Sequence, residues 1–299
     1  MRHLGVRAGP ALVVAAALAV ASLVVLPPAA QAGTPAPTYY VSVGDSYSVG
    51  LQPGLGATSG YTGYVAKKAH LTLANFGCAG ATTTSIIAKV GCPNVLPHTA
   101  GVHRYPTTTQ AAAAETFLRA HRGHVGLITV SIGGNDVTAC AAQANPTPCV
   151  ATAVVRMERN VTTLATALRA AAGTGVPIIG LTYPDVFLGA YVYPAQPPTE
   201  GTVALAADSV SAFKAFINPA LKAGYAAVHG SFVDVTAATG AYTPLTKTVT
   251  VAPYGQIPAA VARVCTLTWY CAVGNIHATK SGYTLIGRLV AARYASLHK

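Results

Sequence analysis

Residues 125–136 read Val-Gly-Leu-Ile-Thr-Val-Ser-Ile-Gly-Gly-Asn-Asp. An apolar run rich in β-branched residues, halted by a glycine pair, has the signature of a buried strand that ends in a turn. Working outward, residues 39–43 form a compact apolar run stopped by Gly44-Asp45-Ser46, and residues 71–76 a second one stopped by Gly77. Residues 176–181 and, more weakly, 231–235 repeat the pattern. Between these runs lie Ala-rich segments, residues 111–119, 150–172, 203–227 and 279–296, in which Leu, Val and Phe recur at spacings of three and four. Strands alternating with helices imply right-handed crossovers. The expectation is a three-layer α/β/α sandwich around a central, mainly parallel sheet of about five strands. With no internal repeat and no second composition regime, residues 33–299 read as one domain.

Composition narrows the function classes. Of 299 residues 52% are apolar and 9% charged, enough apolar material for a packed core and too little charge for a disordered chain. The formal charge of +11 comes from 19 Lys and Arg against only 8 Asp and Glu. The basic residues are scattered singly and form no phosphate-tracking stripe, so nucleic acid is not an expected partner. The acids (Asp45, Glu115, Asp136, Glu158, Asp185, Glu200, Asp208 and Asp234) lie far apart in the chain, and the nine histidines include no H-E-x-x-H. No dedicated metal site is expected. The chain has no Gly-x-Ser-x-Gly elbow to support the α/β-hydrolase fold, and no phosphate-binding Gly-Lys-Ser/Thr loop, which removes nucleotide hydrolysis.

The first residues carry Arg2, His3 and Arg7, then an uncharged, mostly apolar run over 11–26, then Pro27-Pro28 and Ala30-Gln31-Ala32. This is the pattern of a secretory leader cut after Ala32, its apolar run being short for a bilayer span of about 20 residues. Loss of Arg2 and Arg7 would leave 17 basic and 8 acidic residues, a charge of +9. The expected compartment is extracellular. Six cysteines agree with it and fall as Cys78/Cys92, Cys140/Cys149 and Cys265/Cys271. Six allow 15 pairings; three local clips are the simplest, each stabilising by roughly 3 kcal/mol in the chain-entropy model.

Chemistry should gather at the carboxyl ends of the strands, where open α/β sheets bind ligands. Three strand runs end at Ser46, at residues 75–80 (Asn-Phe-Gly-Cys-Ala-Gly) and at Gly133-Gly134-Asn135-Asp136; Asn275-Ile276-His277, just before the last helix, can reach the same rim. Gly44-Asp45-Ser46-Tyr47-Ser48, Gly80 in its Cys-Ala-Gly-Ala-Thr setting, Gly133-Gly134-Asn135-Asp136, and His277 with Gly282-Tyr283 resemble, in order and spacing, the four signature blocks of the SGNH (GDSL) hydrolase family. The cysteine pairs and the Leu-Thr-Trp-Tyr-Cys segment are most similar to its secreted actinobacterial esterases, lipases and phospholipases A1.

The resemblance implies a flavodoxin-like sandwich with Ser46 as nucleophile and His277 as general base. The residue chemistry agrees. A serine alcohol is a weak nucleophile until a base takes its proton, and an imidazole does so near neutral pH. The main-chain N–H of Ser46, the N–H of Gly80 and the side-chain amide of Asn135 are the expected oxyanion donors. One departure stands out: the family's last block is Asp-x-x-His, yet Gly274 occupies the acid's place and Asp234 is the nearest preceding acid. The family includes members in which a main-chain carbonyl replaces the acid, so the resemblance implies a Ser-His dyad, with the main-chain carbonyl of Asn275, or another from that loop, accepting from the imidazole Nδ1–H.

Several residues carry plainer readings. Asp45 reads as a helix cap or turn former, Asp136 as a turn residue, and the remaining histidines as surface or loop residues. Trp269 reads equally as an acyl-groove residue or a packing wedge, and Asn160-Val161-Thr162 as a sequon lost inside a helix. The expected activity is hydrolysis of carboxylic esters, lipid or small-molecule, by a secreted monomer that needs no cofactor and meets lipid surfaces transiently. A glycan O-deacetylase of the same fold and a non-catalytic lipid- or envelope-binding protein are the alternatives.

Overall fold

The computed structural model describes residues 38–92, 103–105, 107–143 and 145–298, with single positions at 1, 3, 5 and 9. The chain divides into Met1–Pro35 and Ala36–Lys299, and the second unit is the subject below. The expected leader, 1–32, lies outside the described residues except for those four positions. Among the described residues no helix is long and apolar enough to cross a membrane.

Strand β1 (Tyr39–Gly44) runs into the short helix α1 (Ser46–Val49), a small antiparallel ladder of β2 (Leu51–Gln52) and β3 (Gly56–Ala57), helix α2 (Gly60–Ala69) and strand β4 (Thr72–Gly77). Helices α3 (Thr83–Ala88) and α4 (Gln110–Ala120) precede β5 (Val125–Ser131), and α5 (Gly134–Thr138) and the long α6 (Pro146–Ala172) precede β6 (Ile178–Leu181). Helix α7 (Glu200–Ala212) continues through a π turn (Phe213–Ile217) into α8 (Asn218–Ala226), and then follow β7 (Ser231–Val233) and α9 (Val235–Ala238). A hairpin of β8 (Thr248–Val251) and β9 (Gly255–Pro258) leads to α10 (Ala259–Leu267), α11 (Tyr270–Val273) and α12 (Lys280–Ser296).

Five strands form one parallel sheet in the order β4-β1-β5-β6-β7. Its two faces follow from side-chain alternation. Val41, Val43, Ile128 and Val130 point into a core shared with Leu118, Met157, Leu164, Leu168 and Leu221 of α4, α6 and α8. Tyr40, Leu127, Ile179 and Leu181 point the other way, onto Tyr61 and Val65 of α2 and Ile286 and Val290 of α12. Each fully buried Leu or Ile contributes about 1.5–3 kcal/mol, so the sheet is clamped from both sides. A third cluster, built on Leu188, Ala206, Val261 and Val264, covers one end.

All five expected strands form, and the three-layer sandwich stands as read. The expected helix at 203–227 is continuous but carries the π turn. Pro219, with no N–H to offer the carbonyl one turn back, sits just past that wide turn. All three cysteine clips form: Cys78–Cys92, Cys140–Cys149 and Cys265–Cys271. Asn160 is buried in α6, its amide donating to the hydroxyls of Thr83 and Thr84, which leaves the sequon without access.

Candidate active site

β1 delivers its chain to the rim through Gly44, whose φ of +148° and close approach to the carbonyl of Ser131, 2.1 Å from where a Cβ would stand, admit no side chain. Asp45 then caps α1, its Oδ1 accepting from the N–H of Tyr47 at 2.9 Å. The expected cap is present, but it does more than cap. Asp45 is 1% exposed, and its Oδ2 accepts from the hydroxyl of Tyr183 at 2.6 Å. Burial pushes its pKa up to about 7 against the opposing pull of those hydrogen bonds. Ser46 follows as the first helical residue.

The neighbouring turns are tied to this one. The amide of Asn75 donates to the carbonyl of Ser48 at 2.7 Å, and that of Gln110 to the carbonyls of Gly44 at 2.6 Å and Phe76 at 2.5 Å. Gly80 stands exposed in the turn after β4 with φ +79°, a conformation open to glycine. Asn135 Nδ2 reaches across from the turn after β5 and donates to the carbonyl of Ala81 at 2.9 Å, leaving its second amide hydrogen uncommitted. Asp136, expected as a plain turn residue, instead accepts from the N–H and hydroxyl of Thr83 at 2.8 and 2.7 Å, which locks α3 to α5.

The histidine loop closes the ring. Tyr47, adjacent to Ser46, donates its hydroxyl to the carbonyl of Ile276 at 2.7 Å, and its ring centre lies 6.0 Å from that of His277. The N–H of Trp269 donates to the carbonyl of His277 at 3.0 Å. Ser46, Asn135, Tyr183 and Ile276 line one small cleft. Residues 231 positions apart are thus brought to one rim. No hydrogen bond joins Ser46 to His277: the imidazole Nε2 is buried and has no partner. Catalytic hydrogen bonds often tighten only when substrate is bound.

At Nδ1 the structure corrects the sequence reading. The acceptor is the side-chain oxygen of Asn275, at 2.8 Å, not its main-chain carbonyl. The same Oδ1 accepts from the backbone N–H of His277 at 3.0 Å, an Asx turn that a short amide side chain makes with the residue two places on. That turn aims the oxygen at the ring of the residue it has just bonded. Among the described residues no carboxylate pairs with the imidazole, and burial lowers its pKa to about 4. The ring is neutral at pH 7, with Nδ1 protonated if it donates to the amide oxygen and Nε2 then free to accept a proton.

Two further features escaped the sequence reading. The turn after β6 also reaches the rim, bringing Tyr183 against Gly134, where a Cβ would come within 3.1 Å of the ring, and beside it the fully buried Asp185. The rule that strand ends carry the site, applied to this fourth strand, would have pointed to it. His103, expected in a loop or at the surface, is half-buried and stacked on Phe76 at 4.4 Å between ring centres. Trp269 is partly buried beside the histidine, with its indole nitrogen buried and unpartnered.

The model of the GDSL-like lipase/acylhydrolase family matches residues 42–285, most of the chain and every element of the rim. The chain belongs to the GDSL-like lipase/acylhydrolase family. Among solved structures, it resembles a putative lipolytic protein of the G-D-S-L family from Desulfitobacterium hafniense DCB-2 at 11% identity, covering 85% of this chain and 98% of that one, with a TM-score of 0.40. It also resembles the salicylyl-acyltransferase SsfX3 from a tetracycline biosynthetic pathway at 11% identity, covering 90% of this chain and 59% of that one, with a TM-score of 0.39. No curated protein matches. Membership of the GDSL-like family supports a hydrolase that works on acyl groups.

Proposed function

We propose that this member of the family is a secreted serine hydrolase that cleaves carboxylic esters through an acyl-enzyme on Ser46. The observation that carries the reading is the state of His277: Nδ1 is held by an amide oxygen while Nε2 is buried, unpartnered and mounted on the loop bonded to Tyr47. Nε2 takes the proton of the Ser46 hydroxyl as its oxygen attacks the ester carbonyl, then returns that proton to the leaving alcohol. A water attacks the acyl-enzyme by the same route, releasing the acid and restoring Ser46. The N–H groups of Ser46 and Gly80 and the free amide hydrogen of Asn135 meet the developing oxyanion. A neutral amide at Nδ1 fixes the tautomer but stabilises the imidazolium less than a carboxylate.

No step requires a cofactor or metal. Three disulfides and the leader-like residues 1–32 support export of a single-domain chain of residues 33–299. The test is hydrolysis of p-nitrophenyl butyrate and a longer ester by wild type and Ser46→Ala. Turnover by the first and its loss in the second is the expected result; activity unchanged by the substitution would refute the assignment.

A further inference from the structure

Beside the catalytic cleft lies a second cavity of about 170 Å³, roofed by α7 and the π turn and floored by the first turns of α6. The two cavities adjoin: Val137, Phe187 and Phe213 line both. Away from the cleft the walls are mostly apolar, with Val150, Leu205 and Ile217 among them, and Thr147, Asp208, Ser209 and Ser211 are the polar exceptions. The π turn shapes this space. One extra residue per turn widens the helix there, turning Phe213 inward at 4% exposure and leaving Phe216 at the outer mouth at 53%. An apolar cavity of about 150 Å³ holds one six-carbon ring.

We propose that this groove takes the acyl chain of the ester whose carbonyl sits at Ser46, and that it is sized for about six to eight carbons. This rests on the assignment of Ser46 as an ester-cleaving nucleophile. The groove shares Val137, Phe187 and Phe213 with the cleft that holds Ser46, its single charged lining residue is the exposed Asp208, and its volume matches a medium chain. Carbons beyond the eighth pass Phe216 into solvent and gain nothing further. Each methylene buried in the transition state raises kcat/KM by up to about fourfold.

The experiment is a series of p-nitrophenyl esters from acetate to hexadecanoate, assayed with wild type and with Ala212→Phe and Ala151→Trp. Both alanines line the groove away from the cleft, and Ala151 is exposed on its helix, so its replacement leaves the core intact. In wild type, kcat/KM should climb by at least tenfold from acetate to octanoate and level off beyond it. In the variants the acetate rate should stay within about twofold while the octanoate-to-acetate ratio falls at least tenfold. Free octanoate should inhibit acetate hydrolysis more strongly than propionate does, and the variants should lose that difference. A flat chain-length profile, or a ratio unchanged in both variants, would overturn the groove assignment while sparing the Ser46 chemistry. Failure to hydrolyse any ester would overturn both.

Discussion

Replacing Asn275 tests the amide-for-carboxylate exchange at the histidine. In Asn275→Ala the Nδ1–H loses its acceptor at 2.8 Å. That bond becomes charge-assisted as the imidazolium forms, and such bonds are worth about 1.5–3 kcal/mol. A fall in kcat/KM of about 10- to 150-fold follows. Asn275→Asp should do something different. A carboxylate about 4 Å from the imidazolium centre attracts it by ~4 kcal/mol at an effective dielectric of 20, or about three pKa units. Burying the new charge takes part of that back, leaving a rise of about one to two units. His277 now titrates at about 4, lowered by burial, and must be neutral to act as base. Activity is therefore present above that pKa and lost as pH falls through it. The acid limb of the kcat/KM profile, measured from pH 3.5 to 8 on a butyrate ester, should lie near pH 4 in wild type and move upward in Asn275→Asp. An alanine variant within twofold of wild type, or an aspartate variant whose acid limb does not move, would refute the role given to this side chain.

Other outcomes follow from the same geometry. Asn135→Ala should lower kcat by about 100- to 1000-fold with little change in KM, read from steady-state kinetics. Asp185 is fully buried and its pKa is raised to about 7 by burial, as is that of Asp45. A folded pKa above the unfolded value of about 3.9 means that the stability these groups confer is complete below that pH and lost as pH rises through 7. Thermal melts should show stability falling from pH 5 to 8, and Asp185→Asn should shrink that fall by about 3 kcal/mol. In Gly282→Ala the new methyl would stand 2.1 Å from the carbonyl of Leu267, which accepts from the N–H of Thr279 at the start of α12. The helix must shift, costing about 1–3 kcal/mol in denaturant unfolding and displacing the His277 loop, so kcat should fall as well.

What the sequence by itself determined is the frame. Short β-branched runs halted by glycine, separated by Ala-rich segments with helical spacing, can bury their apolar faces only as a parallel sheet between helices, and the disulfide partners lie close enough in the chain to pair locally. The rim residues were legible because Ser46, Gly80 and Asn135 lie in turns that follow strand ends and in blocks that resemble the family's signatures. Tertiary structure decided what depends on contacts between distant segments. At residues 275–277 the choice was local yet still open in the sequence: a main-chain or a side-chain oxygen could meet Nδ1, and the Asx turn selects the side chain. Asp45 and Asp136 read as turn residues because capping is a local property, whereas their bonds to Tyr183 and Thr83 span 138 and 53 positions. The groove beside the cleft belongs to the same class. Its walls come from α5, α6, α7 and the π turn, and a cavity is defined only by how far apart those surfaces come to rest.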